Sequence, residues 1–347
     1  MRGPSVQKYQ TCALFSAPPS RVQQPFTASS ASMSASMRAR RRSVHPPLPP
    51  AHRIPALQER VLAWYRTEQR TFPWRSERPD PYLVLVSEVM LQQTQTSRVA
   101  VLLPPFLAKF PTVDALASAG TAEIIKAWQG LGYNSRALRL RECARAIVER
   151  FGGHVPGSAE ELLTLPGIGP YTSHAVAVFA FHADITVLDV NLRRVYSRYV
   201  APQATSADIL GDTELQPIAA ALQPKGHASA WNQALMDIGA QFCKAARPRC
   251  GECVLADTCA SAHRIVTVRK PRRPEPSHRD IPRRIWRGKV LDILRESVTG
   301  STAKALSRSL MDAPDAGDVA WMESVAQDLV RDGFVRNDGS RYRLRDE

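Results

Sequence analysis

Hydrophobic side chains recur every three or four positions between about residues 56 and 262. Leu57, Val61 and Tyr65 fall on one face of a helix, and the same spacing returns in most of the segments that follow. Proline and glycine interrupt the pattern at intervals, and this part of the sequence has no run of strictly alternating hydrophobic and polar positions. A period of 3.6 residues is typical of amphipathic helices that pack on a core. The pattern therefore predicts an all-α body.

The pattern changes after residue 280. Three helical stretches come first, and two short stretches with strand character end the chain. Asn337, Asp338 and Gly339 lie between the last two stretches and favour a turn, which predicts a β-hairpin. Three helices followed by a hairpin are typical of a winged-helix-like domain, which binds DNA in some proteins and contacts other proteins elsewhere. The predicted helices and strands are residues 285–295, 302–310, 319–332, 334–336 and 341–344.

Positive charge is concentrated at the start of the chain. The net charge is +14, and eight lysines and arginines lie in residues 1–54, which contain no Asp or Glu. Their Ser, Pro, Ala and Arg content predicts a disordered basic tail. The alternatives are an organellar transit peptide and a translation start at Met33 or Met37. The net positive charge favours an anionic partner. Because the tail supplies much of this charge, any inference of DNA binding depends on sequence motifs.

A glycine-rich turn, Leu-Pro-Gly-Ile-Gly at residues 165–169, separates two helical stretches. Gly167 and Gly169 allow a positive φ and the close approach of another backbone. The amides at the start of the following helix favour an anion such as a DNA phosphate. A tight connection between two helices without any ligand has the same local pattern.

Four of the six cysteines lie within seventeen residues, at Cys243, Cys250, Cys253 and Cys259. A short cluster of this kind in a long chain without a secretory signal indicates metal binding rather than a disulfide framework. Four thiolates suit either zinc or an iron–sulfur cluster, and their spacing alone does not distinguish the two.

Two carboxylates are candidates for catalysis. Glu88 lies in an apolar helical stretch, where burial raises the pKa of a carboxyl group and keeps it protonated as an acid. Asp189 precedes the helical stretch that begins at Leu192, where a cap holds a carboxylate ionised. An acid and a carboxylate together cleave glycosidic bonds by protonating the leaving group and stabilising a cationic sugar. A solvated or ion-paired Glu and an Asp that only caps a helix fit the same pattern.

The segments around these residues resemble the MutY family of DNA glycosylases, within the helix–hairpin–helix/Gly-Pro-Asp superfamily. The resemblance covers about residues 56–262, and Glu88 falls in the segment that is similar to the catalytic helix of the family. The other segments are similar to its Pro-Trp segment, its Gly-Leu-Gly-Tyr loop and its hairpin. The four matching segments are residues 73–75, 87–95, 130–133 and 165–169.

The resemblance implies a role for each matching residue. Glu88 is then the acid, Asp189 the carboxylate that stabilises the sugar cation, and Asn191 the amide that orients Asp189. Tyr171 stands where related bifunctional glycosylases have a nucleophilic lysine, which implies a monofunctional enzyme in which water resolves the intermediate. Gln93 and Tyr133 are then the residues that enter the duplex when the target base is flipped out. The implied DNA-binding residues are Trp74, Arg75, Gln93, Thr94, Tyr133, Gly167 and Gly169.

The family also implies the fold and the cofactor. We expect an all-α, two-lobed helix–hairpin–helix glycosylase core with a [4Fe–4S] cluster on the four cysteines, followed by the winged-helix-like domain. No stretch is apolar and long enough to predict a membrane span. The expected domains are a tail of residues 1–54, a cluster lobe of residues 55–78 and 187–262, a six-helix lobe of residues 79–186, a basic linker of residues 263–280 and a C-terminal domain of residues 281–347.

The implied function is base-excision repair, by hydrolysis of the N-glycosidic bond of adenine mispaired with 8-oxoguanine or guanine. The implied partner is double-stranded DNA with mismatched or oxidised base pairs. We expect a monomer that does not associate with membranes and acts in the cytoplasm, at the nucleoid; organellar targeting by the tail is the alternative.

Three features depart from the family pattern. Val190 replaces a glycine, and Asn134 replaces the second tyrosine that usually follows Gly-Leu-Gly. Residues 281–347 are too short for the NUDIX-like domain that usually helps to recognise 8-oxoguanine. The preference for the base opposite adenine is therefore open.

Two other functions fit part of the sequence. A monofunctional thymine or uracil glycosylase acting on T:G mismatches would have a similar hairpin and cluster and a tyrosine at the position of Tyr171. The Gln-Gln-Thr run at residues 92–94 instead favours adenine as the base that is removed. A non-catalytic, DNA-binding iron–sulfur regulator would use the cluster and the winged-helix-like domain. The presence of both Glu88 and Asp189 argues against it.

Overall fold

The computed structural model describes residues 48–268 and 274–346, in which α-helices dominate. These residues contain fourteen α-helices and two small antiparallel sheets of two strands each. They confirm the expected all-α body and the small C-terminal domain. Residues 1–47 of the predicted tail and residues 269–273 of the predicted linker lie outside the described residues. Within the described ranges, no helix has both the length and the apolarity needed to cross a membrane.

The elements are numbered in chain order. The helices are α1 Ile54–Glu68, α2 Pro81–Leu91, α3 Thr96–Lys109, α4 Val113–Ser118, α5 Thr121–Ala127, α6 Ser135–Phe151, α7 Ala159–Leu163, α8 Pro170–Phe181, α9 Val190–Val200, α10 Asp212–Leu222, α11 Ala228–Gln241, α12 Arg283–Glu296, α13 Ala303–Leu310 and α14 Ala316–Arg331. The strands are β1 Ser277–His278, β2 Ile281–Pro282, β3 Val335–Asp338 and β4 Arg341–Leu344.

Helix α2 is buried on nearly all sides. It begins at Pro81, and Asp80 caps it by accepting a hydrogen bond from the Tyr82 amide at 3.0 Å. Eight of its eleven residues are buried, and most of them are aliphatic. A helix that is apolar all round lies in the interior because it has no polar face to turn to water. Glu88, the one carboxylate of this helix, is therefore carried into the interior.

Two hydrophobic cores lie within the described residues. The first core is formed by α2–α8 together with the C-terminal helices and hairpin. The second core is formed by α1, α9, α10 and α11, and Leu255 joins it from the cysteine-rich segment. Helix α11 packs against both α1 and α9. The segment before α2 therefore folds with the segment that follows α8, and the chain between them forms the other core.

Helices α7 and α8 form the predicted hairpin. The turn ends at Gly169, which stands at the N-terminal cap of α8, and Pro170 is the first residue of the helix. After α8 the chain has no regular secondary structure up to Asp189, which caps α9. The hairpin and the start of α9 thus bring Tyr171 and Asp189 to the buried helix α2.

The C-terminal domain has the predicted order of three helices, α12–α14, and a hairpin, β3–β4. A bridge between Ser301 and Tyr342 extends the hairpin, and a short hairpin, β1–β2, precedes α12. The prediction of a turn at residues 337–339 is wrong, because the strands pair as far as Asp338 and Arg341. The two-residue turn between them begins at Gly339, whose φ of 77° suits the first position of such a turn.

Candidate active site

A cavity of about 430 Å³ opens between the two cores. Glu88 from α2, Tyr171 from α8, and Asp189 and Asn191 at the start of α9 all line it. An enclosed pocket with a few convergent polar groups is the usual form of a small-ligand site. The structure therefore brings together the four residues for which the family resemblance implied catalysis. The predicted DNA-contacting residues that also line the cavity are Trp74, Arg75, Gln93 and Thr94.

Glu88 is a buried carboxyl group with one hydrogen-bond donor. It is 4% exposed, and its Oε2 accepts a hydrogen bond from the Tyr171 hydroxyl at 3.0 Å. Burial raises the pKa of Glu88 to about 7; the Tyr171 hydrogen bond opposes this rise, and the charge of Asp189 adds to it. Glu88 is therefore able to hold and release a proton near neutral pH.

Asp189 is held by three donors. Its Oδ1 accepts from the amides of Asn191 and Leu192 at 2.8 and 2.6 Å, and its Oδ2 accepts from Asn191 Nδ2 at 2.8 Å. Burial raises the pKa of Asp189, and these hydrogen bonds oppose that rise. They favour the ionised form, as does the N-terminal end of the α9 dipole.

Val190, which replaces the family glycine, is 73% exposed at the edge of the cavity. Its side chain points to open space, so the replacement needs no rearrangement of the neighbouring core. With valine at this position, Asp189 and Asn191 are joined by two hydrogen bonds.

A buried ion pair forms another wall of the cavity. Asp237, fully buried in α11, accepts from Arg75 Nη1 at 2.7 Å and from Arg70 Nε at 2.7 Å. Both guanidinium groups lie about 5 Å from the Phe72 ring, which stacks on Trp74 with ring centroids 4.9 Å apart. Sequence reasoning missed Asp237, and the available signal was a lone carboxylate in an otherwise uncharged helix.

Gln93 and Tyr133, the predicted wedge residues, lie on two adjoining loops. Both are exposed, Tyr133 to 61%, and both have left-handed backbone with φ of 57° and 47°. Thr94 joins the loops, because its hydroxyl donates to the Leu131 carbonyl at 3.3 Å. Positive φ is uncommon outside glycine and persists where the surrounding structure fixes it. Unlike Gln93, Tyr133 does not line the cavity.

Arg136, which sequence reasoning did not single out, holds these two loops together. It is buried in α6, and burial lowers its pKa to about 10, which leaves it charged at neutral pH. Its guanidinium donates at 2.6–3.1 Å to backbone carbonyls of both loops and to the Thr94 hydroxyl. In the sequence it looks like part of a solvated basic helix face. The carbonyl acceptors are those of Val89, Met90, Gln92, Leu131 and Gly132.

The hairpin turn requires glycine at one position and leaves space at the other. Gly167 has φ 77°, and a Cβ there would lie 2.8 Å from the Cβ of Arg139. Around Gly169 no atom lies within 4 Å of the corresponding Cβ position among the described residues. This open space next to the start of α8 suits the approach of a phosphate. The phosphate contact itself stays a prediction.

The four cysteines line one small pocket, and all four are free of disulfides. Arg198 lines the same pocket and is 2% exposed; its Nη1 lies 3.5 Å from Cys243 Sγ, and its Nε has no hydrogen-bond partner among the described residues. A buried cation beside four thiols fits an anionic metal–thiolate group. No set of three His, Cys, Asp or Glu residues in the described ranges is arranged to hold a single metal ion.

Arg194 connects this segment to the cavity. Its Nη2 donates to Asn191 Oδ1 at 2.7 Å and to the Gly239 carbonyl at 2.9 Å, and its Nε donates to the Cys243 carbonyl. Because Asn191 donates in turn to Asp189, a continuous series of hydrogen bonds joins Asp189 to the first cysteine.

Known proteins resemble the chain along most of its length. Residues 86–216 match the HhH-GPD superfamily of base excision DNA repair proteins. The chain is 39% identical over 278 residues to an adenine DNA glycosylase of Mycolicibacterium smegmatis, a match that covers 79% of this chain and 91% of that protein.

Two solved structures share the fold. A thermostable thymine-DNA glycosylase is 31% identical with a TM-score of 0.55, and the match covers 60% of this chain and 96% of that one. An endonuclease III in a non-covalent DNA complex is 20% identical with a TM-score of 0.54, over 62% of this chain and 97% of that one.

These similarities make the chain an enzyme that binds DNA, and they leave no support for a non-catalytic regulator. The similarity to the mycobacterial protein extends over nearly the whole length of that relative, and two carboxyl groups, those of Glu88 and Asp189, line the cavity. The chain therefore belongs to the HhH-GPD superfamily and, within it, to the MutY-like adenine DNA glycosylases of base excision repair.

Proposed function

We propose that the enzyme removes adenine mispaired with 8-oxoguanine or guanine by hydrolysis and does not cut the DNA strand. One observation carries this proposal: Glu88 and Asp189 line the same cavity. The pKa of Glu88 is about 7, and Asp189 accepts three hydrogen bonds. A proton carrier and a stabilised anion are the two groups that cleavage of a glycosidic bond needs.

In the proposed reaction the target adenine is flipped out of the duplex into the cavity. Glu88 donates its proton to a ring nitrogen of adenine, and the N-glycosidic bond breaks with its electron pair going to the base. Asp189 faces the cationic sugar and lowers the energy of the transition state. Water then adds to the sugar carbon, and the proton that it loses restores Glu88.

The residues at the cavity support hydrolysis without strand cleavage. Strand cleavage by this class of enzyme needs an amine that forms a Schiff base with the sugar. Tyr171 occupies the position of that amine in the family pattern, and the described residues that line the cavity include no lysine. Tyr171 instead donates a hydrogen bond to Glu88.

We infer that the four cysteines hold a [4Fe–4S] cluster. Arg198 faces their pocket, and this buried cation compensates the negative charge of such a group. When bound, the cluster supplies a rigid anionic cross-link of the segment, not a reacting centre. Arg194 and Asn191 relate that segment to Asp189 through their hydrogen bonds.

The test is single-turnover cleavage of labelled duplexes that contain A:8-oxoG, A:G, A:C, T:G or A:T, with and without alkali. We expect adenine loss from A:8-oxoG and A:G, with strand breaks only after alkali. Breaks without alkali would contradict the monofunctional mechanism, and base loss from T:G alone would establish the thymine alternative. Iron and sulfide analysis of the same preparation tests the cluster. The monomeric state and the cytoplasmic location stay predictions.

A further inference from the structure

The C-terminal domain contacts both ends of the loop that carries Tyr133. Gln129 Nε2 donates to Asp292 Oδ1 at 3.3 Å, and Arg295 Nη2 donates to Asn134 Oδ1 at 3.4 Å. Asp292 and Arg295 lie one turn apart on α12 and pair with each other at 2.6 Å. One ion pair of α12 therefore touches the residues on both sides of the Gly-Leu-Gly-Tyr segment.

The Arg295 side of this contact is buried, whereas the Asp292 side chain is 55% exposed. The Arg295 side chain is 5% exposed, and its Nε donates to the Ile125 carbonyl in α5 at 3.2 Å. A buried charge is tolerated only where hydrogen bonds and an opposite charge surround it, so such a group has a defined position. The buried residues of the C-terminal domain are also continuous with the first core. The domain is thus a fixed part of the structure around the Tyr133 loop.

The loop has a conformation that needs support. Gly130, Gly132 and Tyr133 all have positive φ, at 85°, 68° and 47°. Arg136 holds the carbonyls inside the loop, and Trp128 Nε1 donates to the Gly132 carbonyl at 3.1 Å. These contacts hold the loop backbone, while α12 holds its two ends. Tyr133 itself is 61% exposed, and its ring centroid lies 5.8 Å from the Arg136 guanidinium.

Asn134 is the residue at which this chain departs from the second tyrosine of the family pattern. Its amide oxygen is the acceptor for Arg295. A tyrosine carries no acceptor at that distance from the backbone, because its hydroxyl lies at the far end of the ring. The departure in the loop and the C-terminal domain therefore meet in one hydrogen bond.

We propose that Arg295 is a positioning residue for base flipping, through which the C-terminal domain holds the Tyr133 loop ready to enter the duplex. This rests on the proposed function, in which Tyr133 is the wedge. Arg295 does not contact the cavity, so it acts on the reaction only through the loop. The C-terminal domain then contributes to base flipping by the glycosylase.

The test compares full-length Arg295→Met, Asn134→Leu, Tyr133→Ala and the Arg295→Met/Tyr133→Ala double variant. Flipping is followed by the fluorescence of 2-aminopurine beside the target adenine, and base release from A:8-oxoG is measured in a single turnover. We expect Arg295→Met and Asn134→Leu each to slow both steps by about tenfold to a hundredfold. The double variant should be no slower than Tyr133→Ala. Asn134→Asp keeps an acceptor and should retain the wild-type rate.

Arg331→Met is the matched control. Arg331 belongs to the same domain, is 69% exposed and pairs with Asp328 on its own helix, so its loss should leave both steps unchanged. If Arg295→Met fails to fold, Asn134→Leu carries the test, since it removes only the acceptor. Wild-type flipping by Asn134→Leu, or additive losses in the double variant, would overturn the proposal while leaving the proposed function intact. Wild-type flipping by Tyr133→Ala would contradict the wedge role itself.

Discussion

Glu88 and Asp189 face the same cavity but have different hydrogen-bond partners. Glu88 accepts one hydrogen bond, from Tyr171, whereas Asp189 accepts three and stands at the start of a helix. Burial raises the pKa of both groups, and hydrogen bonds to an ionised carboxylate favour that form, so this opposing effect has more donors at Asp189. This difference supports the proposed roles of Glu88 as the acid and Asp189 as the anion.

Both carboxylates should be needed for chemistry but not for binding. Glu88→Gln removes the transferable proton, and Asp189→Asn removes the charge while keeping the shape of the helix cap. We expect each variant to bind an A:8-oxoG duplex normally and to lose at least about a hundredfold in single-turnover base release. Glu149→Gln, an exposed residue of α6, is the control and should be fully active. Near wild-type base release by either cavity variant would refute its role.

The hydrogen bond from Tyr171 should set the pH range of activity. In the proposed mechanism protonated Glu88 is the active form, so the rate should fall as the pH rises through about 7. This hydrogen bond lowers the pKa of Glu88. Tyr171→Phe therefore raises that pKa and moves the fall in rate to higher pH, which a single-turnover pH profile measures.

Tyr82→Phe is the control for this shift. Tyr82 lies in the same helix as Glu88, but its hydroxyl donates to the Phe110 carbonyl at 2.9 Å, outside the cavity. Its loss should lower stability without moving the pH profile. A profile of Tyr171→Phe that coincides with the wild-type profile would show that Glu88 is not the titrating acid.

At the scale of elements, the end of α2 and the Tyr133 loop form one unit around Arg136. Helix C-termini leave carbonyls without partners, and here a buried guanidinium supplies the donors. The same side chain donates to Leu131 and Gly132 in the neighbouring loop. The positions of Gln93 and Tyr133 therefore depend in part on one residue that does not itself line the cavity.

Arg136→Met should lower the free energy of unfolding by about 3 kcal/mol or more, because it leaves several buried carbonyls without donors. Urea denaturation measures this change. Arg139→Met, at an exposed position one turn along α6, is the matched control and should change the stability by less than about 0.5 kcal/mol. Equal effects of the two substitutions would mean that the hydrogen bonds of Arg136 do not stabilise the loops.

At the scale of the whole molecule, the active site depends on both cores. Glu88 and Tyr171 come from helices of the first core, whereas Asp189 and Asn191 stand at the start of a helix of the second. Asp237 of the second core binds Arg75 in the segment that leads into α2. Any change that loosens the second core should therefore move Asp189 relative to Glu88.

Loss of the iron–sulfur cluster should loosen the second core and move Asp189 relative to Glu88. We expect Cys259→Ser to contain less iron, to be cut by protease within residues 243–262, and to release base more slowly because Asp189 loses its ordered support. Cys143→Ser, a free cysteine buried in the first core, is the control and should keep its iron. Full iron content in Cys259→Ser would exclude this cysteine as a ligand.

Local patterns were sufficient to predict most elements of the C-terminal domain and the helical body. Helices α12–α14 appear within a few residues of the predicted bounds, because hydrophobic periodicity reports directly which face is buried. The hairpin turn was misplaced because strand pairing, and not the preference of Asn and Asp for turns, decides where β3 ends. The short hairpin β1–β2 has too few residues to produce a recognisable alternation.

The sequence by itself determined the helical class of this protein, its glycine-rich hairpin, its cysteine cluster and the two candidate carboxylates. All of these are local in the chain, or match a family pattern residue by residue. Only the tertiary structure decided which buried charges matter, because Arg136, Arg194, Asp237 and Arg295 find their partners in segments far along the chain. A charged residue in a helical stretch looks solvated until its partner is known. Burial and hydrogen bonding, which determine its charge and its role, arise only when the two cores assemble.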